Sequence, residues 1–370
     1  MDRPFLRLYS MQFFYILAHV FGWTLSSFYF VKSGYSYIDI ALYFALSFMV
    51  SLVAIMAMKH SRSDKLMRTG LILKMAIFII TAYIYVKPLL FISGMLWGMM
   101  SIFYWVPMNI HFFKFRKEGK NASHTGLFFV MWPILGAILP AIAGIAAEKY
   151  GISFVFFSAA ALMIPAIILS WGMKQSEALY FDFKKFTENT KGVKTILFLQ
   201  GIWEGIDWLA VPLVTLSFVS GAVDFGAFYS YLGFFGIAAF FIAGKASDKM
   251  KRRAIFLYPV TIAMALSTIL SGLATTFFAW GAFRGAVSFL VNLFSPFALT
   301  VVVDTSKNIE DSMISREFFL NFGRALGSMI VVLMLAASIP IQHALVVSGA
   351  ILLMHPLFLR AKKKGYHVKI

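Results

Sequence analysis

The 370 residues are 60% hydrophobic and only 13% charged, with a mean hydropathy of +0.81, whereas soluble domains run at roughly 45–50% apolar residues. Such a chain reads as an integral membrane protein, and its lack of cysteine excludes disulfides, cysteine metal sites and a cysteine nucleophile. A formal net charge of +17 points to nucleic acid in a soluble protein, but here the placement of the charge makes it a topology signal, and no nucleic-acid partner is expected.

A helix crosses the hydrocarbon layer in about 20 residues, and apolar runs of that length predict twelve spans: 9–31, 37–58, 69–87, 88–113, 123–147, 151–173, 195–219, 224–245, 254–274, 276–302, 316–338 and 340–360. Barrel strands alternate polar and apolar over about 10 residues, unlike 77–84 or 331–337, which are apolar on every side. With the N-terminus in the cytoplasm, all but six of the 33 Lys and Arg lie in inner loops or tails. Lys32, Lys87 and Lys149 fall outside, and Lys74, Arg284 and Arg324 fall within spans. Inner loops are enriched in these residues, so both termini are expected to be cytoplasmic in a multi-pass protein of the plasma (inner) membrane.

The first span is too long for a cleaved signal peptide and is expected to remain as a signal anchor. Asn121-Ala122-Ser123 matches a glycosylation acceptor but faces the cytoplasm in this topology. Lys74, about one turn into the third span, is expected to snorkel to the inner surface. The polar stretch 174–194 reads as a cytoplasmic linker with some helix between halves 1–173 and 195–370. Leu179, Phe183 and Phe186 would give such a helix an apolar face on the inner leaflet.

The halves repeat each other. Gly94-Met95-Leu96-Trp97-Gly98-Met99-Met100-Ser101 in the fourth span returns as Gly281-Ala282-Phe283-Arg284-Gly285-Ala286-Val287-Ser288 in the tenth, and Gln12, Tyr15 and His19 return as Gln200, Trp203 and Asp207. Between the second and third spans stands His60-Ser61-Arg62-Ser63-Asp64-Lys65-Leu66-Met67-Arg68-Thr69. Between the eighth and ninth stands Gly244-Lys245-Ala246-Ser247-Asp248-Lys249-Met250-Lys251-Arg252-Arg253.

This doubled loop resembles the signature loop of the major facilitator superfamily of transporters. The resemblance implies an all-α membrane fold of twelve transmembrane helices in two six-helix bundles related by pseudo-two-fold symmetry, with a small-molecule substrate held near the midplane. It further implies that the first, fourth, seventh and tenth helices line a central cavity. Asp64 would touch the start of the eleventh span and Asp248 the start of the fifth, where helix N-termini favour anions. Asp64, Arg68, Gly244, Asp248, Arg252 and Arg253 are thus gating candidates. Gly136-Ala137-Ile138-Leu139-Pro140-Ala141-Ile142-Ala143-Gly144 is similar to the fifth-helix motif associated with antiporters, and reads equally as a small-residue packing face with a Pro kink.

Ionisable groups inside a bilayer are functional candidates by default. On the seventh span Gln200, Trp203, Glu204 and Asp207 share one face at helical spacing. The matching faces carry Gln12, Tyr15 and His19 on the first span, Trp97, Ser101 and Tyr104 on the fourth, and Arg284, Ser288 and Asn292 on the tenth. Asp207 is about 18 Å above the inner end of its helix and Arg284 about 12 Å below the outer end of its own. In a core of about 30 Å these levels coincide, so the two can pair. Glu204, one turn lower and without an obvious cation, reads as an exchangeable proton site, with His19 as relay. Arg324, between Gly323 and Gly327, reads as a packing residue or a gating partner of the signature loop.

The chain has no His-Glu-x-x-His, Gly-x-Ser-x-Gly or nucleotide-binding glycine loop, and no histidine spacing that makes a metal site. An enzyme, a cofactor and a metal are therefore not expected, and asymmetric charges argue against a channel. The expected function is a monomeric secondary transporter coupled to protons by alternating access, exporting an amphipathic or cationic compound as an antiporter. The alternative is proton-coupled uptake of a small anionic or polar metabolite.

Overall fold

A computed structural model describes residues 3–58, 61–114, 121–173, 178–180, 182, 193–247, 253–304 and 308–358. Helices α1 (Arg3–Trp23) and α2 (Ser26–Lys32) cover the first predicted span, broken at Thr24-Leu25. Helices on the second to twelfth predicted spans follow in order: α3 (Tyr37–Met56), α4 (Ser63–Ala82), α5 (Lys87–Lys114), α6 (Asn121–Tyr150), α7 (Ile152–Trp171), α8 (Lys194–Thr215), α9 (Ala222–Ser247), α10 (Arg253–Gly272), α11 (Phe277–Asp304), α12 (Ile309–Ala336) and α13 (Gln342–Leu352).

Nine helices among the described residues are long and apolar enough to cross a membrane. The third, ninth and twelfth spans fall outside that count: α4 carries Asp64, Lys65, Arg68 and Lys74, and the apolar parts of the other two, Leu257–Gly272 and Gln342–Phe358, are shorter. In lipid only a helix satisfies every backbone group within its own segment. Intramembrane hydroxyls follow the same rule, Ser47, Thr81, Thr215 and Thr268 each donating to the carbonyl one turn back. Bulky apolar side chains such as Ile168, Phe241 and Phe278 stand exposed around the outside, a surface suited to lipid.

Two helices begin earlier than their apolar runs. Helix α12 starts at Ile309, where Asn308 caps it by accepting from the Glu310 N–H at 2.8 Å. Helix α4 starts at Ser63 with Asp64 in its first turn. Carboxylates suit helix N-termini, so both helices run on into charged sequence that a hydropathy reading discards. Within 174–194, Ala178–Leu179 pairs antiparallel with Ser61–Arg62. Leu179 is therefore buried in a strand pair and not on an amphipathic helix face; Phe183 and Phe186 lie outside the described residues.

In the first half the main packed pairs of spans are one with five and six, three with four and six, and two with four. In the second half they are seven with eleven and twelve, nine with ten and twelve, and eight with ten. Between the halves, five packs on eight and two on eleven.

The five–eight contact is built on small residues. A Cβ added at Gly233 of α9 would lie 2.3 Å from the Ala137 backbone nitrogen, and one at Gly226 would lie 2.2 Å from the Pro140 carbonyl oxygen. Of the two readings of 136–144, this is the packing face. Gly136 itself has room, since its added Cβ meets only the Gly233 Cα at 4.0 Å. Gly233→Ala is therefore expected to destabilise by about 1–3 kcal/mol through overpacking, whereas Gly136→Ala leaves the melting temperature unchanged. Thermal unfolding in detergent separates the two.

Candidate functional site

Asp207 of α8 and Arg284 of α11 are both buried and form a two-armed pair, Nη1 to Oδ1 at 2.8 Å and Nη2 to Oδ2 at 2.9 Å. The depth argument from helix rise is met by this geometry. A guanidinium and a carboxylate joined through two parallel bonds fix each other's orientation as well as their charge. The Arg284 guanidinium also stands 5.8 Å from the Trp280 ring. Tyr229 of α9 lies within electrostatic reach of both charges, a neighbour that no face pattern on the seventh or tenth span reveals.

Glu204 has a cation after all. Arg324 of α12 reaches it with Nε at 2.7 Å and Nη2 at 2.5 Å, while Gln200 Nε2 donates to its other oxygen at 2.8 Å. The cause is backbone proximity. A Cβ on Gly201 would be 2.3 Å from the Leu320 carbonyl oxygen, and one on Gly327 would be 2.4 Å from that of Ile202. Glycines four apart on both helices thus let α8 and α12 touch. Arg324 lies over the Trp208 ring at 4.6 Å, and its Nη1 is 3.7 Å from Oε2 of buried Glu317, whose Oε1 meets Arg316. Arg324 thus belongs to an alternating chain Glu204, Arg324, Glu317, Arg316.

The other half is aromatic. Tyr104 donates to Gln12 Oε1, Tyr15 stacks on Tyr104 at 4.0 Å and on His19 at 5.9 Å, and His19 packs against Trp97 and Trp132 at 5.7 and 5.4 Å. The structure therefore brings the predicted faces of the first and fourth spans together; Ser101 sits one turn beyond Trp97, half-buried. Lys74 does not snorkel. Because α4 starts six residues before its apolar run, Lys74 lies about 16 Å along it. It is fully buried, its Nζ 4.0 Å from the Trp97 ring centroid, 4.5 Å from Phe78 and 4.7 Å from Trp23.

Some predicted residues are turned toward helices of their own half. Trp203 donates to Thr268 of α10 at 3.2 Å. Ser288 donates to the Leu232 carbonyl at 2.8 Å, and Asn292 to that of Ser288 at 2.9 Å.

No family model and no curated protein sequence matches the chain. Solved structures do. The crystal structure of the human organic anion transporter MFSD10 (TETRAN) superposes with a TM-score of 0.71 at 10% identity, over 97% of this chain and 100% of that one. A POT family transporter in complex with a thioalcohol-conjugated peptide gives 0.74 at 12% identity, over 98% and 96%. The chain has the major facilitator fold.

Of the loop residues that the major facilitator resemblance singles out, Asp64 is buried and held by Arg62 through two bonds of 3.1 Å. Arg68 lies over the Trp171 ring at 4.1 Å and reaches the Ser170 carbonyl, joining the third span to the sixth. Asp248 and Arg252 lie outside the described residues; Gly244 is within α9 and Arg253 opens α10, whose first side chains are likewise outside the described set. A contact that loop matching does not suggest crosses the halves of this fold nearby: Lys114 at the end of α5 pairs with Glu310 at the start of α12.

Proposed function

We propose that the protein is a major facilitator superfamily member, a secondary active transporter of a small molecule. Two six-helix bundles, 1–173 and 195–370, joined by the cytoplasmic linker 174–194, rock about the groups on the first, fourth, seventh and tenth spans. One observation carries this reading. Adding six to every span number turns the main packed pairs of the first half into those of the second, and exchanges the two largest contacts between the halves. That is the pattern of a parallel repeat about an axis along the membrane normal. The Lys114–Glu310 pair closes the inner end in one state and breaks in the other. The protein acts as a monomer in the plasma (inner) membrane, with both termini cytoplasmic.

Proton coupling rests on Arg324, which stands between two carboxylates. A proton on Glu204 releases Arg324 toward Glu317, and Asp207–Arg284 responds to substrate, with His19 as relay. Export of an amphipathic cation by antiport requires free negative charge. Glu204 and Asp207 each already carry an arginine, which favours the alternative, an anionic substrate. The human structural neighbour, an organic anion transporter, agrees with that choice.

The test is a thermal-shift ligand screen on purified protein across pH, followed by flux of the best hit into liposomes with and without a pH gradient. Gradient-dependent flux is the expected result. A ligand that stabilises the protein but never crosses the membrane overturns the transporter, and flux indifferent to the gradient overturns the coupling.

A further inference from the structure

Lys74 is a fully buried lysine without a counter-ion. Its Nζ has no hydrogen-bond partner, and the same holds for two other buried nitrogens of this half, Nδ1 of His19 and Nε2 of Gln12. The first 173 residues contain five carboxylates: Asp2, Asp39, Asp64, Glu118 and Glu148. Asp39 pairs with Lys87 at the start of α5, Asp64 with Arg62, and Glu148 accepts from the Val223 N–H near the end of α6. Asp2 and Glu118 lie outside the spans. Among the described residues of this half, every carboxylate is thus engaged away from Lys74. The second half differs, with Asp207 and Glu204 each meeting an arginine.

The surroundings of Lys74 have a specific chemistry. Trp23 and Trp97 stack at 3.8 Å, and both, with Phe78, face the ammonium at cation–π distance. His19, Trp23 and Trp132 are half-buried, so part of each ring remains accessible beside the enclosed lysine. What this aromatic cluster lacks is an acceptor carrying negative charge, and its accessible ring area suits stacking.

We propose that this aromatic box receives the carboxylate end of an aromatic organic anion, with Lys74 as counter-charge and Trp23, Trp97 and Trp132 as the stacking surface. The proposal rests on the transporter reading above and narrows its substrate to aromatic carboxylates. Binding requires the Trp23–Trp97 stack to part, which brings the carboxylate to the ammonium and leaves the ring of the ligand among the tryptophans.

Equilibrium binding to protein in lipid nanodiscs, with no gradient, tests the site apart from transport. The probes are radiolabelled benzoate, with unlabelled benzoate, benzamide and benzylamine as competitors. Benzoate is expected to bind and to be displaced by itself at least about tenfold better than by the neutral amide or the cationic amine. Lys74→Gln is expected to weaken benzoate by about tenfold or more, and Lys74→Arg, which keeps the cation, to retain it. Absence of benzoate binding, equal displacement by benzylamine, or undiminished binding in a folded Lys74→Gln protein overturns the assignment. Should Lys74→Gln fail to fold, the competition in the unmodified protein and in Lys74→Arg still decides. Binding through Lys74 without any flux would sink the transporter and leave the site standing.

Discussion

Replacing Arg284 by methionine is expected to lower the melting temperature far more than removing both charges of its pair at once. Asp207 and Arg284 are 7% and 5% exposed, so the single change strands a carboxylate away from water, at a cost of about 3–5 kcal/mol. Exchanging a whole buried pair for uncharged groups of similar volume is often neutral. Asp207→Asn with Arg284→Met should therefore recover most of the loss, and a double-mutant cycle on thermal unfolding measures the coupling. Flux separates brace from working part: if the pair responds to substrate, the double variant melts normally and transports nothing. A loss in Arg284→Met no larger than the roughly 0.5 kcal/mol of a surface substitution would show that the pair is not a brace.

What the sequence reveals of this architecture follows from how local each feature is. Apolar run length predicts where helices lie, and a charge inside a run is visible at once, so Asp207 and Arg284 could be matched by depth alone. Helix ends are less legible, because hydropathy stops at the first charges while the hydrogen-bonded helix continues; that error put Lys74 near the surface when it is fully buried. Face assignment is coarse as well. Trp203 and Glu204 are adjacent and so point about 100° apart on a helix, which sends one to α10 and the other to α12. The Glu204–Arg324 pair needed knowledge of which helices touch. A signal for it was present: Glu204 immediately precedes Gly205 in Gly201-x-x-x-Gly205, and Arg324 immediately follows Gly323 in Gly323-x-x-x-Gly327. Two such motifs facing each other bring the flanking side chains together.

Glu204→Gln is expected to uncouple the transporter without unfolding it. The amide keeps an oxygen for the Gln200 Nε2–H, which Glu204 accepts at 2.8 Å, and it has nearly the volume of the acid, so packing is preserved. Arg324 loses its ionic partner there and turns to Glu317, already 3.7 Å away. The substitution thus imitates the protonated state permanently, and protons can no longer choose between the two arrangements. Accumulation driven by a pH gradient should fall by about tenfold or more, while exchange of labelled for unlabelled substrate, which needs no net proton movement, continues. Glu317→Gln acts in the opposite sense. With Glu204 the one carboxylate left to pair with it, Arg324 is held in the unprotonated arrangement, and both accumulation and exchange slow. Gradient-driven accumulation at the unmodified rate in a folded Glu204→Gln protein would remove this carboxylate from the coupling mechanism and leave the Arg324 network as a structural brace between α8 and α12.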